Sequence, residues 1–152
     1  HNDLADSKST DPISRESTRL QCAAVIGAQT TLDPKQMKEW TPNSKYGAHA
    51  FGLKNFEEFL SQRDNILPWI KEYSPYHLAS SDDPPSCLIY ATPPALGQEQ
   101  KDPTHTSNFG LKMKEKCDSL GIDCAFIYDV GAEERALVAS EYLIKRLKSI
   151  HK

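Results

Sequence analysis

A chain of 152 residues, 38% hydrophobic and 26% charged with a formal net charge of −3, is long enough to bury roughly two-thirds of its unfolded surface around one core. Its lysines and arginines are spread along the chain, which argues against nucleic acid or an anionic membrane as a partner. No apolar run approaches the roughly 20 residues of a bilayer span and no basic-then-apolar signal pattern opens the sequence, so a soluble chain is expected.

In chain order, residues 1–19 are polar, contain Asp11-Pro12 and read as a surface connection. With no strand or helix ahead of this connection, a preceding segment is expected. Leu20 to Gly27 is the first strand, expected to be buried on both faces. Asp33 then caps a short helix with Pro34 at its first position, where the missing N–H costs nothing, and the helix runs to about Trp40. Pro42 ends it, and a loop rich in Gly and aromatic residues follows, with His49 in its middle.

Asn55, with Glu58 three residues on, satisfies orphan amides at the next helix start. Positions 56, 59, 60, 63, 66, 67 and 70 recur at helical spacing, all apolar but Arg63. Pro68 removes a backbone donor, which predicts two short helices or one bent near Asn65, ending before Ser74-Pro75.

The stretch from Asp82 to His105 organises the rest. Pro84 and Pro85 stop what precedes them, and Cys87 to Ala91 forms the central strand. Thr92-Pro93-Pro94 ends it, and a polar loop carries Glu99, Lys101, Asp102 and His105. In open α/β sheets the carboxyl ends of the strands are where ligand and catalytic loops lie, so the candidate site is placed here.

Thr106 or Ser107 caps the next helix, in which Phe109, Met113, Cys117 and Leu120 share a face and Gly121 is a left-handed stop. Ile122 to Val130 is the third strand. The last helix runs from Ala136 to about Ser149, with Ala136, Ala139, Leu143, Leu147 and Ile150 expected to face inward. Lys145, Arg146 and Lys148 lie favourably near its negative end.

Strands alternating with helices at this spacing specify an α/β fold: one domain over 1–152, with a small parallel sheet of about three strands flanked by helices. So small a sheet leaves an edge strand open, which predicts self-association. Cys22, Cys87, Cys117 and Cys124 form no Cys-x-x-Cys and read as buried free thiols, leaning towards a reducing compartment. No cofactor is expected, nor a metal, because His49, His77 and His105 lie on three separate loops.

The block SPYHLASSDDPPSCLIYATPP, the segment DPTHTSNFGLKMKEKCDSLGIDCAFIYD and the final helix resemble the C-terminal half of an α/β-hydrolase, closest to bacterial esterase and lipase-like members and their carbohydrate-esterase-like group. The resemblance implies hydrolysis of a small-molecule or carbohydrate ester by a Ser, acid, His triad. It aligns the acid with Glu99, with Asp102 as the fallback and His105 as a further site residue. The sequence departs from that pattern in three places. It contains no Gly-x-Ser-x-Gly. Thr92 to Glu99 replaces the usual Gly-Asp-x-Asp. Asp129 to Arg135 holds no histidine where the family has one, while His105 follows the second strand. A complete triad cannot be built from these residues. The reading is therefore the back portion of an ester hydrolase, inactive alone, and the rival is a non-catalytic binding or assembly module derived from one.

Structural readings stand beside the chemical ones. Glu99 can be a solvated loop carboxylate, and His105 can cap its helix or bond a backbone carbonyl. His77 reads as structural. Trp40, Tyr46, Phe51 and Trp69 can line a pocket or form a satellite core.

Overall fold

Three apolar runs lie side by side in one parallel sheet, β1 (Ala23–Ile26), β2 (Ser86–Ile89) and β3 (Cys124–Ile127), in the order β1-β2-β3. The computed structural model describes residues 3–150, except the side chain of Ile150. Val25, Leu88 and Phe126 share one row and Ile26, Ile89 and Ile127 the next. The ladder continues one residue further, with Gly27 N–H donating to Ile89 O and Tyr90 N–H to Ile127 O, each at 2.9 Å. The strands are shorter than the apolar runs that mark them. Gly27 (φ 60°) and Asp129 (φ 65°) turn the backbone left-handed and lead the chain away from the sheet.

The central strand is buried as expected, with Cys87, Leu88, Ile89 and Tyr90 at most 5% exposed. The first is not. Val25 is 39% and Ile26 43% exposed, because β1 has a hydrogen-bonded neighbour on one side only. An unbroken apolar run looks the same in sequence whether or not anything covers it.

Helix α5 (Ser107–Leu120) starts at Thr106, whose side chain accepts from Asn108 N–H, and stops at left-handed Gly121. Its Cys117 packs with Leu88, Tyr90, Ile122 and Cys124. The helix comes so close to the sheet that a Cβ on Gly110 would lie 2.1 Å from Tyr90 Cε2 and 2.6 Å from Phe126 Cε2. Helix α6 (Arg135–Ile150) packs against β1 and β2. Its inward side carries Val138, Ala139, Tyr142 and Leu143, all half-buried. Of the inward residues expected from spacing, Ala136 is exposed and Leu147 is 45% exposed. The sheet beneath ends at β1, so part of the helix's apolar arc, including Leu137 and Ile144, overhangs it.

A helical layer precedes β2: α1 (Pro34–Trp40), α2 (Phe56–Ser61), α3 (Arg63–Tyr73) and α4 (Pro75–Leu78), with a 3₁₀ turn at Ala48–Phe51. Met37, Trp40, Phe56, Phe59, Ile66 and Ile70 form its core, and Phe109 of α5 joins them. Asn55 accepts from Glu58 N–H at 2.8 Å while the Glu58 carboxylate accepts from Lys54 N–H at 2.7 Å. The helical segment divides at Gln62, not near Asn65, and Pro68 sits inside α3. There its missing N–H removes a single bond, to Asp64 O. Among the aromatics, Trp40 and Phe51 pack into this core, whereas Tyr46 (48%) and Trp69 (54%) are exposed. The stretch before β1 is mostly exposed, with a 3₁₀ turn at Ile13–Arg15, and an ion pair of 2.9 Å ties Arg19 to Asp82. All four cysteines are free thiols. Cys87, Cys117 and Cys124 are buried, while Cys22 is half-exposed.

Candidate active site

Just beyond the carboxyl ends of β1 and β2 lies a cavity of about 570 Å³. Gly27 closes it from the end of β1, residues 91–93, 100–103, 105 and 106 from the segment after β2, and Arg135 from the first turn of α6. Its position follows from a parallel sheet, in which every strand delivers its following loop to the same edge.

The loop after β2 contains no regular structure between β2 and α5, yet buried polar groups hold it. Asn43 pairs with Gln100 as one peptide group pairs with another, Nδ2 donating to Gln100 O at 2.8 Å and Oδ1 accepting from Gln100 N–H at 3.0 Å. Asn108, fully buried, donates to Trp40 O at 2.8 Å, Thr41 Oγ1 at 3.0 Å and Ala95 O at 3.1 Å, and accepts from Ala95 N–H at 2.7 Å. Gly97 N–H donates to Trp40 O at 3.0 Å, and Ser107 Oγ donates to Thr92 O. A loop pinned at so many points holds its side chains at fixed positions.

Within it, Asp102 Oδ1 accepts from the backbone amides of Thr104 (3.1 Å) and His105 (3.2 Å), and Oδ2 lies 2.9 Å from His105 Nδ1. Burial raises the Asp102 pKa, but the hydrogen bonds from the His105 ring and the two amides outweigh it, leaving the carboxyl below its ordinary value. An ionised carboxylate only accepts, so Nδ1 carries the proton in this pair and a neutral ring has its free lone pair on Nε2. His105 packs over the end of β1, where a Cβ on Gly27 would lie 3.5 Å from His105 Cβ. Both side chains of the pair are 62% exposed at the cavity mouth.

Of the residues singled out by sequence, the fold therefore brings Asp102 and His105 together and leaves Glu99 apart. Glu99 is exposed and does not line the cavity, and its carboxylate accepts no hydrogen bond among the described residues. His49 meets Tyr46 edge to face with ring centroids 4.8 Å apart, outside the cavity lining. Partial burial holds the His77 pKa below its ordinary value. No group of three or more His, Cys, Asp or Glu among the described residues is arranged to hold a metal.

Two wall residues escaped sequence reasoning. Gly27 is one, and Arg135 the other. The segment after β3, where the family resemblance would place a histidine, sends Arg135 into the cavity wall instead. The available signal was topological, since the first turn after any parallel strand reaches this edge.

No protein-family model matches this sequence, and no curated protein matches it. Among solved structures, the fold is similar to an acetyl ester-xyloside bifunctional hydrolase from Caldicellulosiruptor lactoaceticus, with a TM-score of 0.54 and 16% identity over 98% of this chain and 49% of that one. The chain thus spans about half the length of the hydrolase it resembles. At this identity the likeness is one of fold: three parallel strands flanked by helices, shared with part of a hydrolase.

Proposed function

We propose that this chain is the C-terminal portion of a carboxylic-ester hydrolase of the α/β-hydrolase type, acting on a small-molecule or carbohydrate ester. The observation that carries this reading is the Asp102–His105 pair at the mouth of a cavity on the sheet's carboxyl edge. In it, Asp102 holds the imidazole by its Nδ1–H. Nε2 takes the proton of an attacking serine hydroxyl, supplied with the oxyanion donors by the preceding part of the protein, and returns it to the leaving alcohol. Glu99 drops out of the acid role in favour of Asp102.

The chain alone should not turn over short-chain aryl esters. In a protein that includes the preceding segment, a serine-directed fluorophosphonate should label one residue, and His105→Gln should lower kcat/KM by roughly a hundred- to ten-thousandfold. A longer protein whose His105→Gln variant keeps full activity, or turnover by the chain alone, refutes the proposal.

A second reading, a binding or assembly module that pairs with its own copy, is favoured by the exposed Val25 and Ile26 on edge strand β1 and by Leu137, Ile144 and Leu147 on α6. A coding sequence with no serine elbow upstream, together with a concentration-dependent dimer in sedimentation, supports the module. An elbow upstream and a concentration-independent monomer support the hydrolase.

A further inference from the structure

The cavity wall carries more positive charge than the proposed chemistry uses. Lys101, Asp102, His105 and Arg135 are its ionisable residues. Asp102 is already engaged by the His105 ring and two backbone amides. Lys101 and Arg135 have no carboxylate within ion-pair distance among the described residues, although Glu133 and Glu134 directly precede Arg135. Arg135 is half-buried, and its Nε is fully buried with no hydrogen-bond partner among the described residues. An Nε so enclosed is beyond a ligand's reach, so an oxyanion in the cavity would meet the terminal Nη donors of Arg135, whose planar fork matches two oxygens at once. The first turn of α6, with its positive dipole end, lies at the same place.

From this we infer that the cavity binds an oxyanion, a carboxylate or phosphate group carried by a small polar ligand, with Arg135 as the two-pronged anchor and Lys101 as the second charge. The cavity's volume is within the range of sites for one small molecule. The assignment rests on reading the cavity as the substrate site, and it makes the substrate an acidic one. Arg135 and Lys101 hold the anion, while Asp102 and His105 remain free for proton transfer.

The test is direct binding to the whole chain, which needs no turnover. Glucuronate and glucose 6-phosphate are titrated at low salt by calorimetry and by amide chemical shifts, with glucose as the neutral control. Saturable binding of at least one anion and none of glucose is expected, and the tighter anion tells carboxylate from phosphate. Arg135→Gln and Lys101→Gln should each weaken the anion by roughly tenfold or more, with Arg135→Lys intermediate because it keeps charge without the fork. If Arg135→Gln fails to fold by circular dichroism, exposed Lys101 carries the test alone. Equal binding of glucose and the anions, no binding of either anion, or unchanged affinity in folded variants overturns the inference. Because the readout is binding, it can fail while serine labelling of the longer protein succeeds, and the reverse.

Discussion

Asp33→Ala tests the best-defined polar contact in the fold. Asp33 is 1% exposed and has two partners. It caps α1 by accepting from Lys35 N–H at 2.9 Å, and it receives a two-pronged contact from Arg63, Nε to Oδ1 at 2.9 Å and Nη2 to Oδ2 at 2.7 Å. Losing the cap costs about 1 kcal/mol. Stranding one partner of a fully buried pair costs about 3–5 kcal/mol. The Arg63 side chain is 25% exposed and keeps Asp64 at 2.9 Å, so solvent and a second carboxylate soften that loss. A total of about 2–4 kcal/mol follows, set against about 8–15 kcal/mol for a domain of this size.

Urea denaturation should show a lower midpoint with an unchanged slope, and Tm should fall by roughly 6–12 °C. Asp33→Asn keeps the cap and loses the charge, so it should fall between wild type and Asp33→Ala. The pH dependence has a definite sign. Burial pushes the Asp33 carboxyl up, the contacts from Arg63 and the Lys35 amide pull it down further, and the net folded value lies below the ordinary one. Its contribution is therefore present above about pH 4, near the unfolded value, and is lost as pH falls through the folded value. The gap between wild type and Asp33→Asn should close in acid. An Asp33→Ala variant within about 0.5 kcal/mol of wild type at pH 7, which is surface-mutation behaviour, would show that this contact contributes nothing.

Three further outcomes follow from the packing. Gly110→Ala forces a methyl into the Tyr90 and Phe126 rings, and Tyr90 cannot yield because its hydroxyl donates to Ala28 O at 2.7 Å; a loss of about 2–3 kcal/mol is expected, and a urea midpoint equal to wild type would refute the close approach. Asn108→Ala strands the amide of Ala95 and takes one donor each from the carbonyls of Trp40 and Ala95, which keep Gly97 N–H and Gln98 N–H; hydrogen exchange should quicken at Ala95 and Gly97, and unchanged protection there would show that Asn108 does not hold the loop. Burial raises the thiol pKa of Cys87, and burial with Cys124 close by raises that of Cys117 to about 12; at pH 8 an aromatic disulfide reagent should react first at half-exposed Cys22 and reach Cys87 and Cys117 only on unfolding, so rapid modification of either in the native protein contradicts their burial.

What was legible in the sequence was local. Asp33 with Pro34, Asn55 with Glu58, Thr106 and Gly121 each act within one helical turn, and all four mark the ends of elements as read. The order of strands followed from their alternation with helices. The exposure of Val25 and Ile26 and the facing of α6 were not legible, because both depend on where the sheet ends. The break at Gln62 was missed for a related reason. Pro68 is the visible breaker, but the chain divides at Gln62, next to Arg63, whose partner Asp33 lies 30 residues away in sequence. At the site, the three-residue spacing of Asp102 and His105 allowed a local turn, whereas alignment to a family loop favoured Glu99. In the fold, local hydrogen bonding joins Asp102 to His105 and leaves Glu99 apart.

The Asp102 turn is self-contained. The Asp102 carboxylate organises its own loop through two amides before it meets the ring, so the pair needs no partner from β1 or β3 to form. The loop in turn is held by Trp40 at the end of α1, Asn43 just beyond it and Asn108 at the start of α5. These supports are not among the cavity's lining residues, and His105 at its mouth is exposed. Buried side chains that hold a loop of irregular backbone must be fully hydrogen-bonded, because each unmet group costs about 1–3 kcal/mol. Asn108 meets that condition with four bonds. The Asp102–His105 pair is thus placed by its own turn and by the side chains that pin its loop.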